Sequence, residues 1–210
     1  MSPPRRRGGD PRTDPREGED LASFDSEDGL ESLPAVAAVR GPLARAASGR
    51  EGVAGVLDVV GDMLSWRVGA LWVPESPEAA ALRACCTWRA RAHPHIVFER
   101  ITRELRLAAG EGLPGRVWTG DATVSISDVA ADANFPRHDV AALEGLRAAV
   151  AFPVRGRERR HGVIEFFSDR VRIPRGSLLP AFARIGRELG AFLDDHPLSP
   201  IEEAPPCTES

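Results

Sequence analysis

The chain has 210 residues, three cysteines and a formal net charge of −4, and all 27 of its basic residues are arginine. The absence of lysine excludes a Walker-type phosphate lysine, a Schiff base and a lysine general base. The slight excess of acid argues against a nucleic-acid binder that works by bulk charge.

Residues 1–33 are rich in Pro, Gly, Ser and charge, with too few apolar side chains to offset the entropy of ordering, and predict a disordered tail. Residues 197–210 repeat that composition, with Pro197, Pro200, Pro205 and Pro206. Between them, residues 34–196 have the size of one domain. The Arg5–Arg7 run is not followed by the apolar stretch of an export signal, and no window reaches the roughly 18 apolar residues of a membrane span. Three cysteines form no disulfide framework. These features predict a cytoplasmic protein with reduced thiols, without membrane or nucleic-acid partners.

In chain order, 34–48 reads as a short helix broken at Gly41-Pro42. Val53, Val56, Leu57, Val60 and Leu64 recur at helical spacing and predict an amphipathic helix over 51–64. Val68–Val73 and Leu82–Trp88 read as strands joined by a turn over 75–80, and 91–97 as a loop. A short strand at 105–108 leads to the glycine-punctuated turn 110–115 and a brief helix over 114–119. Thr123–Ile126 is strand-like, 128–137 a loop, and 138–144 a short helix ended by Gly145. The clearest hairpin joins 147–154 to 161–168 through Arg155-Gly156-Arg157-Glu158, and a helix over about 175–194 closes the domain. The order predicts an α+β fold, one antiparallel sheet with helices packed on it.

Particular blocks carry a family resemblance: Gly110-Glu111-Gly112-Leu113-Pro114-Gly115-Arg116-Val117-Trp118, then Ile126-Ser127-Asp128-Val129, then Asn134-Phe135-Pro136-Arg137. They continue with Gly145–Val154 and Gly162-Val163-Ile164-Glu165-Phe166-Phe167-Ser168. In this order and spacing the chain resembles a GAF domain, a PAS-like sensory domain of the type attached to bacterial sensor histidine kinases. The resemblance covers about residues 50–195. It implies a central antiparallel sheet of five or six strands, with the N- and C-terminal helices on one face. Short helices and loops would enclose a ligand cavity on the other. It also implies a sensory or regulatory module, without naming a ligand.

Several motifs are weighed against that expectation. Gly110-x-Gly112-x-x-Gly115 matches a dinucleotide fingerprint as a string, but Pro114 interrupts it and Gly120-Asp121 stops the helix too soon, so a structural turn is expected. The lysine of the cyclic-nucleotide GAF signature is missing, which disfavours cyclic GMP. Phe135-Pro136-Arg137-His138 stands where bilin-binding relatives carry a Cys-His pair, which disfavours covalent bilin. Haem through a single axial histidine stays open. His93-Pro94-His95 supplies two ligands where a metal site normally needs three from the protein, so no metal is assigned. Some GAF domains reduce free methionine sulfoxide with loop cysteines. Cys85 and Cys86 sit in a strand, where successive side chains point to opposite faces, so they are expected to be small apolar residues. The arginines of the 155–160 turn are expected to form a solvated tip.

For the cavity, the resemblance proposes Trp118, Phe135, His138, Leu143, Arg147, Val150, Phe152 and Glu165, with Arg147 and Glu165 pairing with each other or orienting a polar ligand. Leu178, Phe182, Ile185, Leu189 and Phe192 form a heptad-like seam beside Ala183, Gly186 and Gly190. That seam supports either a homodimer or one broad core face. The leading reading is a non-enzymatic sensory or regulatory module that binds a small molecule or docks on a signalling protein such as a histidine kinase. The alternatives are a ligand-free interaction or dimerisation module and, last, a methionine sulfoxide reductase.

Overall fold

The computed structural model describes residues 34–76, 81–91, 95–171 and 178–198. The two expected disordered tails, most of the 75–80 turn and the start of the last helix lie outside these residues, Pro197 and Leu198 excepted.

Two helices come first, α1 (Pro34–Arg45) and α2 (Gly49–Met63). The expected break at Gly41-Pro42 does not occur: α1 runs through it. Pro42 forfeits a backbone donor, but its ring seats on α2 at Gly55, where a Cβ would stand 2.6 Å from the Pro42 Cβ. Burial of Val36, Val39 and Leu43 holds the helix. Two side chains cap the start of α2: Ser48 Oγ accepts from Glu51 N at 3.3 Å, and the Glu51 carboxylate accepts from Ala47 N, one residue before the cap, at 2.9 Å.

The sheet has six strands, β1 (Val68–Pro74), β2 (Ala81–Arg89), β3 (Arg106–Ala108), β4 (Val124–Ile126), β5 (Ala148–Arg155) and β6 (Arg160–Ser168). Their order is β3-β2-β1-β6-β5-β4, and every pairing is antiparallel. The fold is therefore α+β, with the N-terminal helices and the last helix, α6 (Leu178–Asp195), packed on one face. There Leu71, Val73, Val150, Phe152, Val154, Ile164 and Phe166 meet the apolar sides of the three helices. On α6, Phe182, Ile185 and Leu189 are fully buried in this layer. The heptad-like seam is thus a core face, and the dimer reading loses its central side chains. Leu178 and Phe192 are half-buried at its margins. Gly186 and Gly190 lie against the backbone of β5, where a Cβ would run into the carbonyls of Pro153 and Arg155.

The other face carries α3 (Ile96–Glu104), α4 (Gly112–Gly120), a 3-10 turn (Val129–Ala131) and α5 (His138–Leu143). The loop expected over 91–97 ends early, because α3 begins at Ile96. Phe98, Ile101, Thr102 and Leu105 had helical spacing, masked by β-branched neighbours and by a start without a side-chain cap.

β2 departs from simple alternation. Leu71 pairs with Cys86 and Trp72 with Ala84, so Cys85 is an extra residue in a β-bulge. Leu82 and Ala84 pack in the loop-side layer, whereas Cys85, Cys86 and Trp88 all pack in the helical layer. The expectation that the two cysteines face opposite ways is thereby overturned.

Candidate functional site

The site grows from Glu165, in the middle of β6. Its cross-strand neighbours are Ala70 on β1 and Ala151 on β5, two small side chains that leave space over the carboxylate. Arg137 fills that space. Its Nη1 donates to Glu165 Oε1 at 2.7 Å and its Nη2 to Oε2 at 2.8 Å, a two-pronged pair. Trp72 Nε1 donates to the same Oε1 at 2.8 Å, and Arg137 Nη1 also reaches Thr102 Oγ1 at 2.8 Å. Arg137 is 2% exposed and Glu165 and Thr102 are fully buried. Four rings surround the guanidinium: Phe98 at 4.9 Å, Phe167 at 5.1 Å, Trp72 at 5.2 Å and Phe135 at 5.4 Å to their centroids. Arg137 Nε is buried with no hydrogen-bond partner among the described residues.

Arg137 stands immediately before α5, and its carbonyl accepts from Ala141 N at 2.9 Å. The loop leading to it is latched to the glycine turn. Asn134 Oδ1 accepts from Gly112 N at 2.8 Å, and Asn134 Nδ2 donates to Gly110 O at 2.9 Å. Gly110 and Gly112 have φ of +84° and +62°, a region that suits glycine. The 110–115 motif is therefore a structural clasp that sets the height of Arg137, as the turn reading expected.

Of the eight cavity candidates, the fold brings only Phe135 and Glu165 into this cluster. Arg147 does not pair with Glu165. It stands just before β5, four residues from Ala151, the residue opposite Glu165, a separation of about 13 Å. Arg147 instead pairs with Asp128 at 3.1 Å, half exposed. Val150 and Phe152 alternate onto the helical face. Leu143 is 79% exposed, and His138 is exposed beside Asp139. Trp118 sits at the margin of the loop-side layer with the Arg160 guanidinium 4.4 Å from its ring. The partners that the sequence reading missed are Arg137, Trp72, Thr102 and Phe98. A buried glutamate announces a missing cation, but only the register says which arginine reaches it.

The arginines of the hairpin turn are not simply solvated. Arg155 pairs with Asp121, and Arg157 reaches Asp194 and Asp195 at the end of α6. Asp194 is held at a pKa of about 2, first by the Arg157 backbone N–H at 2.7 Å and then by His161 at 2.8 Å. A carboxyl depressed in the folded state contributes stability above its unfolded pKa and loses it as pH falls toward the folded value. Acid titration of Asp194→Asn should therefore lose part of the wild-type stability gain between about pH 2 and pH 4. Identical acid slopes would contradict the assignment.

At the bulge, the Cys85 thiol donates to Cys86 Sγ at 3.8 Å. That hydrogen bond and burial push Cys85 well above the usual thiol range. The same bond, with Arg50 and Arg103 nearby, lowers Cys86. His95 pairs with Glu144 at 3.4 Å. His93 lies outside the described residues, and among those described no group of three or more His, Cys, Asp or Glu could hold a metal ion. No helix among them is long and apolar enough to cross a membrane.

A buried, latched cluster on one face and terminal helices on the other describe an α+β module built on a single antiparallel sheet. The family model for the GAF domain matches residues 17–194. The chain belongs to the GAF domain family. No curated protein matches it significantly in sequence.

Solved structures share the fold. The GAF domain of an Acinetobacter phosphoenolpyruvate-protein phosphotransferase is 12% identical, with a TM-score of 0.61 over 78% of this chain and 95% of its own. The A. aeolicus nlh2 GAF domain in an inactive state is 20% identical, with a TM-score of 0.60 over 79% of this chain and 96% of its own. The free methionine-R-sulfoxide reductase of Neisseria meningitidis, in complex with its substrate, is 15% identical, with a TM-score of 0.59 over 74% of this chain and 84% of its own.

Proposed function

We propose that this GAF domain is a non-enzymatic regulatory module of signal transduction that acts by docking on a signalling protein such as a histidine kinase. In this reading the loop-covered face of its sheet is closed by the chain's own residues. The observation that supports a regulatory role without a ligand in this face is the Arg137–Glu165 pair, which uses both carboxylate oxygens and sits among four aromatic rings. A ligand seated there would have to break two charge-assisted hydrogen bonds and displace a guanidinium that is 2% exposed. The sulfoxide reductase reading gains little support, because Cys85 and Cys86 pack in the helical layer, on the far side of the sheet from this cluster.

A second reading rests on the unpartnered Arg137 Nε. An anionic small molecule that draws Arg137 outward would satisfy that donor, and the module would then be a sensor whose internal pair competes with its ligand. Native mass spectrometry of the purified chain, with a thermal-shift screen of nucleotides, haem and carboxylated or phosphorylated metabolites, separates the two. The docking reading predicts no co-purifying mass and no rise in Tm. An anionic metabolite that raises Tm by about 5 °C or more would overturn it in favour of the second.

A further inference from the structure

The bulge in β2 creates a second chemical feature, independent of the Arg137 cluster. We propose that Cys85 and Cys86 form a two-thiol site for a thiophilic trivalent metalloid of the arsenite type, bound as a bridge between the two sulfurs.

In a regular strand, adjacent cysteines point to opposite faces and cannot hold one atom between them. Here the extra residue places both in the helical layer, with Sγ to Sγ at 3.8 Å and both residues partly exposed. Two sulfur bonds of about 2.3 Å, the zinc–thiolate length, span that separation at an angle of about 110°. Bridging thus needs little rearrangement. A disulfide fits poorly: adjacent Cα atoms lie about 3.8 Å apart, below the usual span of about 4.4–6.8 Å. Zinc would require at least one further protein ligand, and none completes such a group among the described residues. A trivalent metalloid is completed by one more ligand, a hydroxide in arsenite or a carbon in an organoarsenical. Arg50 borders the site, with Nη1 3.5 Å from Cys85 O and 3.9 Å from Cys86 Sγ. Occupancy would therefore be felt at the first turn of α2.

The chemistry is a ligand exchange without change of oxidation state. With phenylarsine oxide as probe, two S–H bonds are replaced by two S–As bonds, and the arsenic oxygen leaves as one water carrying both protons.

The test uses the full chain, reduced and folded, with phenylarsine oxide followed by intact-mass spectrometry and thermal unfolding. One adduct is expected, stable to excess glutathione and released by dithiothreitol. Cys207→Ser should keep it, and Cys85→Ala and Cys86→Ala should each weaken binding at least tenfold. Because neighbouring cysteines in an unfolded chain can also chelate arsenic, the deciding readout is Tm. A site built by the fold raises Tm by about 5 °C or more at hundredfold excess over Kd. Absence of an adduct, its survival in Cys85→Ala or Cys86→Ala, or a Tm unchanged or lowered would overturn the proposal. If a cysteine variant fails to fold, the wild-type Tm response alone decides.

Discussion

Arg137→Ala is expected to destabilise the domain by about 3–5 kcal/mol, lowering Tm by roughly 10 °C. The reason lies in what remains. Glu165 is fully buried, and without Arg137 its carboxylate keeps, among the described residues, only the Trp72 indole as a hydrogen-bond donor. An uncompensated buried charge is far more unfavourable than a satisfied pair is favourable. The double variant Arg137→Met with Glu165→Leu removes both charges and fills much of the same volume. It should recover to within about 2 kcal/mol of wild type. Urea denaturation at constant m-value measures all of these. A loss below 1 kcal/mol for Arg137→Ala would mean that the pair is not closed in solution.

The second large effect is expected at the glycines of α6. Alanine in a helix normally exceeds glycine by about 1 kcal/mol, so Gly→Ala should stabilise wherever space allows. At Gly186 and Gly190 the sign reverses. The new methyl would meet the carbonyls of Pro153 and Arg155, backbone atoms of β5 that no rotamer change can move. Each substitution should cost about 3 kcal/mol. Gly120, at the end of α4, has open space where its Cβ would stand, and Gly120→Ala should be neutral or slightly stabilising. Stable Gly186→Ala and Gly190→Ala proteins would show that α6 does not lie on β5 as described.

Those glycines also show why one sequence pattern has two readings. Spacings of four and three between Leu178, Phe182, Ile185, Leu189 and Phe192 suit a coiled-coil seam and a broad core face equally. The sheet settles the question by burying Phe182, Ile185 and Leu189 beside glycines that let the helix come close. Strands and the 147–168 hairpin were legible because apolar runs and turn residues agree locally. The break expected at Gly41-Pro42 was a sound local inference, overridden by the pocket that Gly55 offers the proline ring.

The site was half legible. A glutamate within Val163-Ile164-Glu165-Phe166-Phe167 is visibly a charge in a core strand. Its partner is not visible, because Arg137 comes from a loop whose height depends on Asn134 holding the glycine turn. Thr102 and Phe98 were hidden with the unrecognised helix α3. The bulge at Cys85 was hidden because Leu82, Ala84, Cys86 and Trp88 keep a period of two through it and read as one face, although the inserted residue puts the first two and the last two on opposite sides of the sheet.

The central claim is that Arg137 is a fixed component of the core, held on Glu165 from both prongs. Side-chain nitrogen–proton NMR of the full chain, assigned through Arg137→Lys, tests it most directly. Restricted rotation predicts separate, slowly exchanging Nη–H signals for Arg137 near neutral pH, unchanged by added metabolites. A single averaged, rapidly exchanging signal, like that of a solvent-exposed arginine, would contradict the closed face on which the functional reading rests.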